Sequence, residues 1–143
     1  MSPVTRHDER LKWWTLLMTT VILLALLLAL VQIWLLPMLL NLKNANFLLS
    51  NRDNPPEVTP VLARIQRASV NLQESLPAFL AMAVVAEIQG LDLTLVASVW
   101  LALRGAYVAT YGLGIVGLRS LIWIGSLVCL VYMGLALAGA VTL

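Results

Sequence analysis

The fold class that this sequence predicts is an all-α integral membrane protein, with four transmembrane helices packed up-down into one bundle. Three observations point to it. Of 143 residues, 61% are hydrophobic and only 11% are charged, less than half the roughly 25% charge of a soluble domain. Mean hydropathy is +0.92, and a chain this apolar cannot cover its surface with polar groups in water. Four segments, 13–40, 60–88, 93–113 and 118–142, have the length of about 20 apolar residues that crosses a hydrocarbon core.

The first segment carries Trp13, Trp14 and Trp34 near its ends, where indole rings favour the headgroup level. Arg6, Arg10 and Lys12 precede it like the opening of a signal peptide. The apolar run that follows is far longer than the about 7–15 residues of a signal h-region, and no small-residue cleavage site follows, so it is read as a spanning helix. Residues 41–59 form the one long polar loop, where Asn51-Arg52-Asp53-Asn54-Pro55-Pro56 is turn chemistry. Thr59-Pro60 reads as an N-cap followed by a first-turn proline. Gly90 ends the second helix, Asp92 caps the third, and Gly112, Gly114 and Gly117 separate the third from the fourth. Joints this short make neighbouring helices antiparallel within a single domain. Lys43, Arg52 and Arg119, with Arg64, Arg67 and Arg104, outweigh Arg6, Arg10 and Lys12 on the opposite side. Positive charge favours the cytoplasm, which puts both termini on the non-cytoplasmic side.

Several function classes fall away. A net charge of +2, with no basic run and no glycine-rich phosphate loop, argues against nucleic acid. The single histidine, His7, lies in a polar tail, so neither a metal cluster nor a histidine-based triad is expected. Cys129 sits among Leu, Val and Tyr and reads as a small buried hydrophobe.

The informative feature is a polar row on the second helix. Arg64, Arg67, Asn71 and Glu74 are spaced 3, 4 and 3, which at about 100° per residue gathers them on one face. Charged groups at membrane depth cost about 2.5–3.5 kcal/mol each on insertion scales, so such a row calls for partners. Arg67 and Glu74 lie two turns apart, too far to bridge within one helix. On the third helix Arg104, Tyr107 and Tyr111 share a face, and Arg119 and Ser120 open the fourth. Together the stripes make a pocket suited to a small anion, because guanidinium forks grip carboxylates and phenols donate to an oxyanion or thiolate. Simpler readings stand beside this one. Arg64 can snorkel to the headgroups, Arg67 and Glu74 can form inter-helix ion pairs, Asn71 can act as helix glue, and one tyrosine can belong to an interfacial belt.

The string Arg64-x-x-Arg67-Ala68-x-x-Asn71-x-x-Glu74, followed by Leu76-Pro77-x-Phe79-Leu80, resembles the signature of the MAPEG family. That family takes in the microsomal glutathione transferases, leukotriene C synthase and the microsomal prostaglandin E synthase. Arg104-x-x-Tyr107-x-x-x-Tyr111 and Leu118-Arg119-Ser120 extend the resemblance over nearly the whole chain, and the 51–53 loop looks like that of bacterial members. The resemblance implies a homotrimer in a bacterial inner membrane, with glutathione bound between adjacent chains. In that picture Arg64, Arg67, Asn71 and Glu74 hold the peptide, Arg104, Tyr107 and Tyr111 complete the site, and Arg119 stabilises the thiolate. A lipophilic second substrate would arrive from the bilayer. The chain departs from the pattern in three places: Lys43 is the nearest cation where members carry an arginine at the end of the first helix, Ser69 stands at a histidine position, and Trp123 stands at a tyrosine position.

The leading expectation is therefore glutathione conjugation of a lipophilic electrophile, or glutathione-dependent peroxide reduction. Two other classes are distinguishable. A non-enzymatic subunit of the same fold, whose buried ion pairs orient helices and recruit a partner, would keep any cellular activity in Arg119→Ala and lose assembly in Glu74→Ala. A small transporter using Glu74 as its proton-coupled carboxylate would show flux in vesicles.

Overall fold

Thr59 and Pro60 start the longest helix by the chemistry their sequence carries. The threonine hydroxyl accepts the Leu62 N–H at 3.3 Å, and proline occupies a first-turn position where a missing N–H costs nothing. The computed structural model describes residues 3–51, 53 and 55–141, with side chains from Trp13 onward. Arg52, Asn54 and Thr142 lie outside the described residues, as do the side chains of Arg6, His7, Arg10 and Lys12.

Helix α1 (Pro3–Leu30) runs into a π-helical turn (Val31–Leu35) and then α2 (Leu36–Leu40), making one long rod. The wide turn sits just before Pro37, whose ring crowds the carbonyl four residues back and offers it no N–H. A 3-10 turn (Leu42–Asn44) and the short α3 (Ala45–Leu48) lead into the polar loop. Three long helices follow: α4 (Pro60–Gln89), which continues through Pro77, α5 (Thr94–Leu113) and α6 (Val116–Leu137).

The long helices end on glycines in the left-handed region, where a Cβ is penalised. At Gly90, φ is 69°, and Leu91 N bonds Ala86 O while Gly90 N bonds Glu87 O. Gly114, with φ 80°, closes α5 by the same paired bonds. The fourth segment stops at Leu137, short of the expected 142, because Gly139 at φ 71° makes a third such cap. The N-cap position of α5 falls on Leu93, one residue past the expected Asp92, whose carboxylate accepts the Thr94 N–H at 3.1 Å.

Trp13–Leu40, Pro60–Gln89 and Val116–Leu137 are long and apolar enough to cross a membrane. Four such helices were expected from the sequence. The remaining one, α5, has the length but carries Arg104, Tyr107 and Thr110, which it shelters inside the protein. Helices α4 and α5 each pack against the other and against both α1 and α6. The polar stripes thus sit on the two helices with the most protein around them, as the cost of polar groups in lipid requires.

Small side chains let the helices approach closely: Ala25, Ala29, Ala83, Ala86, Ala97 and Ala136 are all buried. Phe79 stacks on Trp100 at 3.9 Å between centroids and 6° between planes. Met18, Leu72, Leu93, Met133 and the buried Cys129 fill the space around them. The antiparallel course of α1 and α4 shows in two bonds. Thr19 Oγ1 donates to Glu87 Oε1 at 3.3 Å near one end. Near the other, Ser69 Oγ donates to the π-turn carbonyl of Gln32 at 2.9 Å.

Candidate functional site

The two stripes and the start of α6 meet at Tyr111. Arg67 Nε donates to the Tyr111 hydroxyl at 3.1 Å, so the phenol proton is directed elsewhere and is free to donate. The Arg119 guanidinium lies 4.8 Å from the Tyr111 ring centroid, within cation–π range. Tyr107 packs edge-on against the same ring at 5.5 Å. Helical spacing places Arg67 on α4, Tyr107 and Tyr111 on α5, and Arg119 on α6 so that all four converge.

Beside this joint is a cavity of about 110 Å³, lined by Arg64, Arg67, Tyr111, Arg119 and residues 114–116. Among the described residues three guanidiniums line it and no carboxylate does. Like charges held together at the edge of a low-dielectric region repel unless an anion joins them. The start of α6 adds to the field, since Ile115 provides no side-chain cap and leaves the first N–H groups of that helix open. Gly114 makes the arrangement possible. A Cβ there would fall 2.8 Å from Arg64 Nη1.

A larger groove of about 490 Å³ continues from the cavity, sharing Tyr111 and Arg119 with it. Asn71, Tyr107 and Ser120 add polar groups, and Trp123 and Ile124 form an apolar wall. Both wall residues are exposed on the outer side of α6, so the groove has an apolar edge on the outside of the chain.

The structure sorts the predicted residues into four places. Arg64, Arg67, Tyr111 and Arg119 line the cavity, while Asn71 and Tyr107 join Tyr111 and Arg119 in the groove. Arg104 lines neither. It is buried behind Asn71, donating to Asn71 Oδ1 at 2.7 Å, with its guanidinium 5.5 Å from the Trp100 ring and 5.9 Å from that of Tyr107. Glu74 also lines neither, being exposed on the outer face of α4. No salt bridge forms on Arg67 or Glu74 among the described residues, and Arg67 turns to the Tyr111 phenol in place of a carboxylate.

Sequence reasoning missed Gln32 and the role of Ser69. Gln32 is 1% exposed inside the first rod, with its Oε1 unpartnered, and Ser69 bonds that residue's carbonyl in the π turn. A glutamine within an apolar span, five residues before Pro37, was the available signal.

Among curated proteins no sequence match is found. A sequence profile of the MAPEG family, whose members include glutathione transferases and related enzymes, matches residues 17–139. With apolar helices long enough to span a bilayer and a family match that covers both polar stripes, this chain is an integral membrane protein belonging to the MAPEG family.

Proposed function

We propose that the chain is a glutathione-dependent transferase or peroxidase acting on lipophilic electrophiles. The observation that carries this reading is the sharing of Arg119 and Tyr111 between an all-cationic cavity and a groove with an apolar outer wall. One cation and one phenol stand where an anionic thiol reagent and a bilayer-borne molecule would meet.

The donors present fit the anionic groups of glutathione. Arg64 and Arg67 suit a carboxylate, and Tyr111, with its oxygen already accepting from Arg67, donates. Bound there, glutathione supplies the nucleophilic or reducing thiol. A thiol of ordinary pKa, about 8.5, needs a nearby cation to ionise at neutral pH. Arg119 is that cation, acting more strongly at a site shielded from water than it would in water. Tyr107 and Asn71 orient what lies in the groove, and Trp123 and Ile124 admit an apolar substrate.

The ammonium of glutathione has no carboxylate partner in either cavity of one chain. Glu74 supplies one if a second copy packs on the outer face of α4. That side of α4 also carries Gln66 and Gln73, both exposed, and polar groups at membrane depth do not face lipid. We therefore read the working form as four spanning helices per chain assembled into a trimer, in a bacterial inner membrane with both termini on the non-cytoplasmic side. The same exposed Glu74 favours a second reading, a subunit of this fold that assembles but has lost glutathione chemistry.

Calorimetric titration of glutathione into the detergent-purified protein separates the two. On the enzyme reading, wild type binds, Glu74→Ala loses binding, and Arg119→Ala keeps its oligomer while turnover falls about 10²- to 10³-fold, as for loss of one charge-stabilising donor. No binding by a well-folded wild-type oligomer sinks the enzyme reading and leaves the subunit.

A further inference from the structure

The contact between Arg104 and Asn71 decides which atom of the asparagine the groove meets. A guanidinium is all donor and no acceptor. The Asn71 atom 2.7 Å from Arg104 Nη1 is therefore the amide oxygen, and the NH2 group on the same carbon faces away from Arg104. Asn71 lines the groove and Arg104 does not. Among the described residues the NH2 group has no acceptor, nor is it one of the enclosed, unpartnered atoms. It is the polar group of Asn71 left for the groove that the residue lines.

Arg104 is held in place for this. It is 4% exposed, with its guanidinium within cation–π range of Trp100 and Tyr107. Trp100 is itself fully buried and stacked on Phe79. A buried charge in a membrane-embedded helix is costly compared with a Leu or Met that would pack as well. Among the described residues the Nε of Arg104 has no hydrogen-bond partner, and the bond to Asn71 is the one hydrogen bond that its guanidinium makes.

We propose that Arg104 is a positioning residue that turns the Asn71 amide so that the groove meets a fixed N–H donor. An untethered asparagine flips to suit a donor or an acceptor. A tethered one accommodates only an acceptor at that point, such as a carbonyl, carboxylate or thiolate, and disfavours an ammonium or amide N–H. The inference rests on reading the groove as the ligand site, but the amide orientation is a property of the protein alone.

The test uses the full-length protein in detergent, with melting temperature measured without ligand and glutathione affinity measured by calorimetry. Asn71→Asp should melt higher than wild type, because the buried guanidinium gains a carboxylate. It should nonetheless bind glutathione about tenfold more weakly, the loss expected for one hydrogen bond to an anion. A role in packing alone would move both readings the same way. Arg104→Met should weaken binding when Asn71 is present and change nothing further in an Asn71→Ala background, while Arg104→Lys, which still donates, should retain most of the affinity. Equal losses from Arg104→Met in the two backgrounds, or wild-type affinity in Asn71→Asp, overturn the proposal. If wild type binds no glutathione, the site reading fails on its own and the melting temperatures decide. Asn71→Asp melting no higher than wild type then overturns the tether, and a higher melting point upholds it.

Discussion

The same two helices, α4 and α5, behave differently at their two ends. Toward the Gly90 turn they close on each other: Phe79 stacks on Trp100, and Ala83, Ala86 and Ala97 leave no side chain large enough to hold them apart. Toward the Gly114 turn, Arg64 and Arg67 meet Arg119 around a cavity with no carboxylate in its lining among the described residues. Dispersion between close-packed atoms seals the first end. Repulsion among like charges keeps the second from sealing. A scaffold and a site are thus built from one helix pair by changing side chains along its length.

The comparison breaks most visibly at the closed end. Trp100→Ala removes a fully buried ring and should destabilise the protein by about 3 kcal/mol, the low end for aromatic truncation, because separated helices keep their rings in lipid. Denaturant titration in mixed micelles measures it. Some binding should be lost too, since Trp100 supports Arg104.

Two glycines with nearly the same backbone sharpen it further. Gly90→Ala and Gly114→Ala each force a Cβ into the left-handed region and should each cost about 1–2 kcal/mol in the same titration. At Gly90 nothing lies within 4 Å of the added atom, so ligand affinity should not change. At Gly114 the atom strikes Arg64, and affinity should fall with stability. The smallest effect is expected from Thr59→Ala, which removes the cap of α4 and should cost about 1 kcal/mol, read as faster amide exchange in the first turn of that helix.

Much of this architecture is legible without coordinates. The caps at Thr59, Gly90 and Gly114 follow from local chemistry, since a hydroxyl satisfies a free N–H and only glycine turns left-handed cheaply. The 3, 4, 3 spacing of Arg64, Arg67, Asn71 and Glu74 places them on one face because helical period is a local property. Arg104, Tyr107 and Tyr111 share a face for the same reason.

What spacing leaves open is the rotation and depth at which one helix meets the next, and those depend on packing contributed by every neighbour. Four residues on one stripe consequently have three surroundings: Arg64 and Arg67 in a cavity, Asn71 in a groove and Glu74 on the outer surface. Arg104, in the same motif as two site tyrosines, is buried behind the groove as the donor to Asn71. That Ser69 takes up the Gln32 carbonyl of the π turn also depends on the facing helix, because the turn itself follows from Pro37 but its partner lies 37 residues away in the chain. The sequence by itself determined the solvent, the caps at Thr59, Gly90 and Gly114, and the faces. Tertiary packing alone decided which of the charged residues on those faces line a cavity and which do not.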